Sequence, residues 1–299
     1  MELIREVQGL RSPALDLLMK GFTFLGDEEF FLLLFPFLYW CLDSRLGLRL
    51  AVLFFLSGYL NYILKQALAR PRPFELAPGI NLIEEPGYGL PSGHAQGAVV
   101  LWGLLALHGR KRWLWAPAVA LMLAVGLSRV YLGVHFPTDV LGGWLVGAAV
   151  LAASAWVLRR LADHRQAAFY LPARPSRLPW WAWILVASLS AGAALAALPD
   201  KDTVAMIAAL WGFGIGYILL RRFFPGGEGG TLIQRLLRLP LGLAVLLGLY
   251  LGLKPLFPAE GQALYLPLRF VRYALVGAWG ALGAPLLFRR IGLTARAPE

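Results

Sequence analysis

Residues 128–158 read SRVYLGVHFPTDVLGGWLVGAAVLAASAWVL. The second part of this stretch, residues 137–158, is an apolar run long enough to cross a bilayer as a helix, since about 20 apolar residues suffice. Arg129, His135 and Asp139 lie before this run or in its first turn. Ionisable side chains in a membrane helix are rare and often mark a functional site. The stretch therefore predicts a membrane helix with polar chemistry at one end.

The composition extends this prediction to the whole chain. Of the 299 residues, 59% are hydrophobic and 15% are charged, whereas about 25% of the residues of a soluble domain are charged. We therefore expect an all-α, polytopic membrane protein. The net charge of +11 does not indicate a nucleic-acid partner, because the basic residues cluster between apolar runs, as membrane topology requires.

The apolar runs predict ten membrane helices, six before a basic, proline-containing segment and four after it. They lie at residues 13–26, 30–42, 47–68, 92–108, 113–128, 137–158, 180–198, 203–220, 239–257 and 264–288. The predicted domains are a six-helix core at 1–160, a cytoplasmic linker at 161–179 and a C-terminal transmembrane bundle at 180–299.

The distribution of basic residues predicts the orientation. Most arginines fall in segments that share one side of the membrane when the N-terminus is cytoplasmic. We therefore expect an integral protein of a bacterial inner membrane with both termini in the cytoplasm. Lys65, Arg72 and Arg129 then lie with His94 and His135 on the periplasmic or extracellular side.

His135 and Asp139 are four residues apart around Pro137, a residue suited to the first turn of a helix. Asp139 would then lie one turn from His135 and could accept a hydrogen bond from its Nδ1–H. Nε2 would remain as a nucleophile. The alternative is a polar pair at the membrane interface that has no chemical role.

Pro91, Ser92, Gly93 and His94 precede the fourth predicted helix. Ser92 suits an N-cap, Gly93 permits close approach of the backbone to a ligand, and the helix N-terminus favours an anion. His94 would be placed to protonate a leaving oxygen. The alternative is an ordinary turn into a helix.

Lys65, Arg72 and Arg129 supply three cations for the oxygens of a phosphate. The alternative for Lys65 and Arg72 is that they extend to the interface as anchoring side chains. That alternative suits Arg70, but it explains Lys65 poorly, since Lys65 lies within an apolar run.

These three motifs resemble the signatures of the type 2 phosphatidic acid phosphatase (PAP2) superfamily, which includes glucose-6-phosphatase, bacterial polyprenyl-diphosphate phosphatases and vanadium haloperoxidases. The resemblance covers about residues 13–158 and says nothing about the four helices that follow. It implies a two-step reaction without metal or cofactor, in which His135 attacks phosphorus, Asp139 orients His135, and His94 protonates the leaving group and then activates water. The residues it implies for holding the phosphate are Lys65, Arg72, Ser92, Gly93 and Arg129.

The expected activity is hydrolysis of a lipid phosphate or diphosphate. Undecaprenyl diphosphate, phosphatidic acid, phosphatidylglycerol phosphate and sphingoid phosphates all remain open as substrates. The alternatives are a sugar-phosphate phosphatase of the glucose-6-phosphatase type, transfer of the phosphoryl group to another acceptor, and a lipid transporter or scramblase on the same scaffold.

The remaining features allow weaker hypotheses. Lys254, Arg269 and Arg272 collect near the outer face and either meet a second phosphate or anchor the helices at the interface. Small residues in the C-terminal helices suit tight packing and a possible homodimer through them. The segment 74–90, which contains Glu84 and Glu85, is either a lid over the site or a plain connecting loop.

Overall fold

The computed structural model describes residues 1–163, 179–226 and 229–295, and most of the predicted linker at 161–179 lies outside these ranges. All regular secondary structure within them is helical. The α-helices are α1 (Glu2–Gln8), α2 (Pro13–Phe24), α3 (Glu28–Pro36), α4 (Ser44–Leu68), α5 (Pro73–Leu76), α6 (Gly93–Gly109), α7 (Trp115–Tyr131), α8 (Pro137–Asp163), α9 (Trp180–Ala197), α10 (Lys201–Phe223), α11 (Leu232–Gly252), α12 (Tyr265–Ala278) and α13 (Ala284–Arg290). π-helical turns at Phe37–Leu42 and Trp279–Gly283 extend α3 and join α12 to α13.

The all-α fold agrees with the sequence prediction, and each of the ten predicted membrane segments lies on a helix. In the described part of the chain, seven helical stretches are long and apolar enough to cross a membrane by length and composition. The helices at the first two predicted segments are short, as expected, and α6 has only 17 residues. The protein is therefore an integral membrane protein.

The chain forms two compact units. The first comprises Met1–Leu32 and the chain from Val52 through α8, and the second comprises Leu33–Ala51 and the described residues from α9 onward. The predicted domains, divided at 160 and 180, are each one continuous stretch of chain. The compact units are not, because residues 33–51 belong to the second unit. Apolar runs give no sign of this, because they mark helices and not the partners of those helices.

Trp40 shows why residues 33–51 pack with the C-terminal helices. Its indole Nε1–H donates to the carbonyl oxygen of Gly280 at 2.8 Å, and its ring meets Phe288 edge to face, with 5.6 Å between the ring centroids. A Cβ on Gly242 would lie 2.4 Å from the same ring. The large Trp40 side chain thus fits against a position of the neighbouring helix that has no side chain.

In the first unit, α6 packs against both α7 and α8. The approach of α8 depends on two glycines, since a Cβ on Gly143 would lie 2.5 Å from the carbonyl oxygen of Ser92, and one on Gly147 would lie 2.7 Å from that of Gln96. Small residues allow this closeness in membrane helices. As a result, the start of α8 lies beside the start of α6, and the Ser92 amide donates to the Asp139 carbonyl at 2.9 Å.

Candidate active site

The residues singled out from the sequence come from the ends of the helices in the first unit. Lys65 lies in the last turn of α4, Arg72 precedes α5, and Arg129 lies in the last turn of α7. His94 lies in the first turn of α6, and Asp139 in that of α8. Side chains at helix ends combine a fixed backbone with access to a common pocket.

The turn into α6 is anchored by buried amide side chains. Asn61 Nδ2 donates to the Pro91 carbonyl at 3.2 Å and to Gln96 Oε1 at 2.8 Å, and Gln96 donates in turn to the Ser57 carbonyl at 2.7 Å. Because every one of these groups is buried, breaking one bond would leave a polar atom without a partner. The network therefore fixes the position of Gly93 at the start of α6.

Ser92 occupies the N-cap position of α6, as the sequence predicts, but its side chain makes no capping hydrogen bond. The residue is fully buried, and its hydroxyl has no hydrogen-bond partner among the described residues. A buried hydroxyl without a partner is uncommon. It is therefore available to a ligand atom.

His135 is fully buried, and its Nε2 lies 3.0 Å from Nη1 of Arg72. Since a guanidinium can only donate, Nε2 is the unprotonated nitrogen and the proton is on Nδ1. This is the tautomer expected from the sequence. Burial, together with the charges of Arg72, Arg129 and Lys65, holds the pKa of His135 well below its usual value, so the ring is neutral.

Asp139 is held by groups other than His135. Its Oδ2 accepts from the Phe136 amide at 2.9 Å, and Oδ1 lies 3.2 Å from Nη1 of Arg70. His135 Nδ1 is 3.5 Å from Oδ2, which is longer than a normal N–H···O bond. The expected approach of the two side chains is present, but the expected hydrogen bond is not formed at this distance, and Oδ2 accepts from the Phe136 amide.

The sequence predicts only an interfacial role for Arg70, and the structure shows contacts beside the candidate site. Besides contacting Asp139, it donates to Thr138 Oγ1 at 2.8 Å and stacks over the Phe136 ring at 4.9 Å from the centroid. The spacing of Arg70 from Arg72 does not indicate these contacts, since they depend on how Phe136 and the first turn of α8 are placed.

Arg72 and Arg129 are both fully buried. Arg72 donates to the carbonyls of Gly87, Pro86 and Val134 at 2.7, 3.0 and 3.0 Å. Arg129 donates to Thr23 Oγ1 through Nη1. These neutral acceptors hold both guanidiniums in place without cancelling their charge, and two such cations side by side suit an anion such as phosphate.

Glu85 lies between these two arginines. Its Oε2 accepts from Arg129 Nη2 at 2.5 Å, and its Oε1 lies 3.6 Å from Arg72 Nη2. Burial favours the neutral carboxyl, but the charges of Arg129, His94 and Arg72 outweigh it and lower the pKa of Glu85. An ionised carboxylate therefore occupies donors that a phosphate oxygen would use. The sequence placed Glu85 in a loop but gave no spacing that related it to the arginines.

Lys65 contacts the same segment, since its Nζ donates to the Tyr88 carbonyl at 2.8 Å. The segment 74–90 thus contributes both a carboxylate and backbone carbonyls to the site. These contacts bring Lys65, Arg72 and Arg129 together around one stretch of chain.

His94 Nε2 lies 2.8 Å from Oδ1 of Asp27, a residue in the turn between α2 and α3. No motif in the sequence includes Asp27. The available signal was only a Gly–Asp pair that separates two apolar runs.

The C-terminal cations lie in the second unit and make contacts there. Arg269 Nε donates to the Lys201 carbonyl at 2.8 Å, and Arg272 is buried with its guanidinium 4.9 Å from the centroid of the Tyr273 ring. The hypothesis that these residues meet a second phosphate stays a prediction.

Two family models match the chain. The model of the PAP2 superfamily matches residues 46–163. The model described as PAP2 superfamily phosphatase, transmembrane extension, matches residues 204–296. The second match covers most of α10 and the helices that follow it, about which the three motifs say nothing, but not α9.

Relatives with curated names are similar over part of their length. The chain is 34% identical over 151 residues to phosphatidylglycerophosphatase B of Bacillus subtilis, covering 46% of this chain and 72% of the relative. It is 35% identical over 144 residues to sphingosine-1-phosphate phosphatase 2 of Mus musculus, covering 45% of this chain and 40% of the relative. It is 34% identical over 187 residues to glucose-6-phosphatase 3 of Mus musculus, covering 54% of this chain and 53% of the relative. The chain thus spans about half or less of the two mouse relatives.

Proposed function

The chain belongs to the PAP2 superfamily, and we propose that it hydrolyses a phosphate or diphosphate ester of a membrane lipid through a phosphohistidine formed on His135. The observation that carries this proposal is the contact of Arg72 with both His135 Nε2 and the carboxylate of Glu85. A phosphate that replaces this carboxylate between Arg72 and Arg129 would lie beside the nucleophilic nitrogen.

In the first step, the lone pair on His135 Nε2 attacks phosphorus, and the bond from phosphorus to the leaving oxygen breaks. The leaving oxygen keeps the electron pair of that bond and takes a proton from His94. Lys65, Arg72 and Arg129 stabilise the charge on the equatorial oxygens, and the Ser92 hydroxyl and the Gly93 amide donate to them.

In the second step, water attacks the phosphohistidine. His94 takes a proton from the water, the P–N bond breaks with its electrons returning to Nε2, and phosphate leaves. The imidazole becomes positive while it carries the phosphoryl group, and the carboxylate of Asp139, 3.5 Å from Nδ1, stabilises that charge. The contact is expected to shorten in the complex, since catalytic hydrogen bonds are often long without substrate.

A lipid is favoured as the substrate because the site is built from the ends of membrane helices. Two relatives carry names that refer to lipid phosphates, phosphatidylglycerophosphatase B and sphingosine-1-phosphate phosphatase 2. A sugar phosphate is the second candidate, since the match to glucose-6-phosphatase 3 covers 54% of this chain. A scramblase or transporter would have no use for a histidine nucleophile paired with a carboxylate.

We further place the site on the periplasmic or extracellular side of a bacterial inner membrane, with both termini in the cytoplasm. This proposal is supported by the basic residues, most of which lie in loops on the side of the membrane opposite to the site. We also propose the domain division at 160 and 180, on the basic segment between the apolar runs, and a homodimer through the C-terminal helices, on their small residues.

The test is phosphate release by the purified protein in detergent, with a chelator present. The substrate panel comprises phosphatidic acid, phosphatidylglycerol phosphate, sphingosine 1-phosphate, undecaprenyl diphosphate and glucose 6-phosphate. The proposal expects release from at least one lipid, with a higher kcat/KM than for glucose 6-phosphate, and none from His135→Ala. Release only from glucose 6-phosphate would select the second candidate. Movement of lipid in vesicles without phosphate release would select a transporter.

A further inference from the structure

We propose that Asp27 is a positioning residue for His94, holding the imidazole by Nε2 and favouring the protonated ring that delivers a proton to the leaving group. The inference rests on the proposed function, in which His94 is the general acid. It adds to that function a residue from the turn between α2 and α3, outside the three motifs.

The first observation is the contact itself. Asp27 Oδ1 lies 2.8 Å from His94 Nε2, and the side chains are 35% and 13% exposed. Since a carboxylate only accepts, Nε2 carries the proton of this bond. A carboxylate paired in this way fixes the ring orientation and stabilises the imidazolium.

The second observation is the shape of the turn. A Cβ on Gly26 would lie 2.4 Å from Cδ2 and 2.9 Å from Cγ of the His94 ring. Contacts this short do not occur, so a residue with a side chain would displace either the turn or the imidazole. Glycine at this position therefore allows the backbone beside Asp27 to lie directly against the ring.

The third observation places the same segment under the phosphate-binding side chains. Thr23, four residues before Asp27 along the chain, is buried and accepts from Nη1 of Arg129. The segment 23–27 thus contacts both the imidazole and one of the two arginines. The two contacts tie this short segment to both side chains, so the position of Asp27 is coupled to that of Arg129.

The contact assigns a role to each ring nitrogen. With Nε2–H held by Asp27, Nδ1–H of the imidazolium is the proton available to the leaving oxygen. When the bond from phosphorus to that oxygen breaks, the oxygen takes the Nδ1 proton. The ring becomes neutral with its remaining proton on Nε2. The Nδ1 lone pair then accepts a proton from the attacking water, and no other reactant is needed.

Two substrates with similar apolar tails separate this role from a structural one. Dodecyl phosphate releases an alkoxide, which requires a proton, and 4-nonyl-2-nitrophenyl phosphate releases a stable phenolate, which does not. Loss of a general acid costs about 100-fold or more on a poor leaving group. We use kcat/KM, because it reports the steps up to cleavage of the ester.

Asp27→Asn is expected to lower kcat/KM about 10- to 100-fold for dodecyl phosphate and much less for the nitrophenyl ester. Asp27→Glu keeps the carboxylate and is expected to recover part of the loss. The matched control is Glu29→Gln, which removes an exposed carboxylate two residues away and is expected to leave both substrates unchanged.

An equal fall on both substrates, or no fall on either, would overturn the role of Asp27. His94→Asn separates this failure from failure of the proposed function. If His94→Asn discriminates between the leaving groups and Asp27→Asn does not, only the present inference is wrong. If His94→Asn does not discriminate either, the assignment of His94 as the acid is wrong. Should Asp27→Asn not fold, Asp27→Ser and Asp27→Glu provide the same comparison.

Discussion

Nε2 of His135 and Nη1 of Arg72 are 3.0 Å apart, with both side chains buried. The arginine thereby selects the tautomer of the histidine and covers its Nε2. In the proposed reaction, Arg72 exchanges this contact for a phosphate oxygen before His135 attacks. Under this proposal, the two side chains protect each other until an anion binds.

Replacing Arg72 with lysine tests this dual role. Lysine retains the charge but loses the planar set of donors that contacts Gly87, Pro86 and Val134. We expect kcat/KM for a lipid phosphate to fall at least about 100-fold. Steady-state kinetics in detergent measures this, and thermal unfolding shows whether the variant is folded. A folded variant with normal kcat/KM would show that the charge alone suffices.

In the proposed reaction, the fall of kcat/KM at low pH reports the protonation of His135. A protonated imidazole cannot attack, and burial with three nearby cations holds the pKa of His135 well below its usual value. In the free enzyme, we therefore expect the His135 ring to stay neutral at pH values below the usual histidine pKa of about 6.5.

Lys65→Gln removes one of those cations and should move the acid limb of kcat/KM to higher pH, because a positive charge that opposed protonation is lost. Lys20→Gln, at an exposed lysine, makes the same charge change and should leave the limb in place. Identical limbs in wild type and Lys65→Gln would contradict the electrostatic argument.

Glu85 competes with phosphate for Arg72 and Arg129, since its carboxylate contacts both. Glu85→Gln removes the charge, and we expect inhibition by orthovanadate or inorganic phosphate to strengthen about 3- to 30-fold, on the order of 0.6–2 kcal/mol for a partly exposed ion pair. The measurement is the inhibition constant. Glu84→Gln, at the exposed neighbouring residue, is the control. Weaker inhibition in Glu85→Gln than in Glu84→Gln would mean that Glu85 supports anion binding and does not compete with it.

The glycine contacts of α8 make a stability prediction. A Cβ on Gly143 would lie 2.5 Å from the Ser92 carbonyl, and overpacking of this kind costs about 1–3 kcal/mol. Gly143→Ala should lower the thermal midpoint and the activity together. Nothing lies within 4 Å of a Cβ on Gly248, so Gly248→Ala should leave both unchanged or raise the midpoint slightly. Equal midpoints for the two variants would show that α8 tolerates a shift.

The sequence predicts the positions of the helices and the relationships between side chains that are close together along the chain. Apolar runs of membrane length predict helices almost without regard to context. The four-residue spacing of His135 and Asp139 predicts that their side chains lie close together, and the position of Ser92 just before an apolar run predicts a helix N-cap. The sequence predicts the tautomer of His135 from a hydrogen bond to Asp139, whereas in the structure the same tautomer follows from the contact with Arg72, 63 residues away.

The remainder depends on contacts between distant segments. Asp27 is 67 residues from His94 along the chain, and Glu85 is 44 from Arg129, so no short pattern connects them. The packing of residues 33–51 with the C-terminal helices depends on how Trp40 fits against Gly242. Such fits are properties of surfaces and are not encoded in the periodicity of one segment.

The most direct test of the account is to trap the covalent intermediate. Wild-type protein is mixed with a lipid phosphate labelled with ³²P, quenched with alkali within one turnover and digested for peptide mapping. We expect base-stable, acid-labile label on the peptide that contains His135, and none in His135→Ala. Turnover without labelled protein, or label on a peptide that lacks His135, would contradict the central claim.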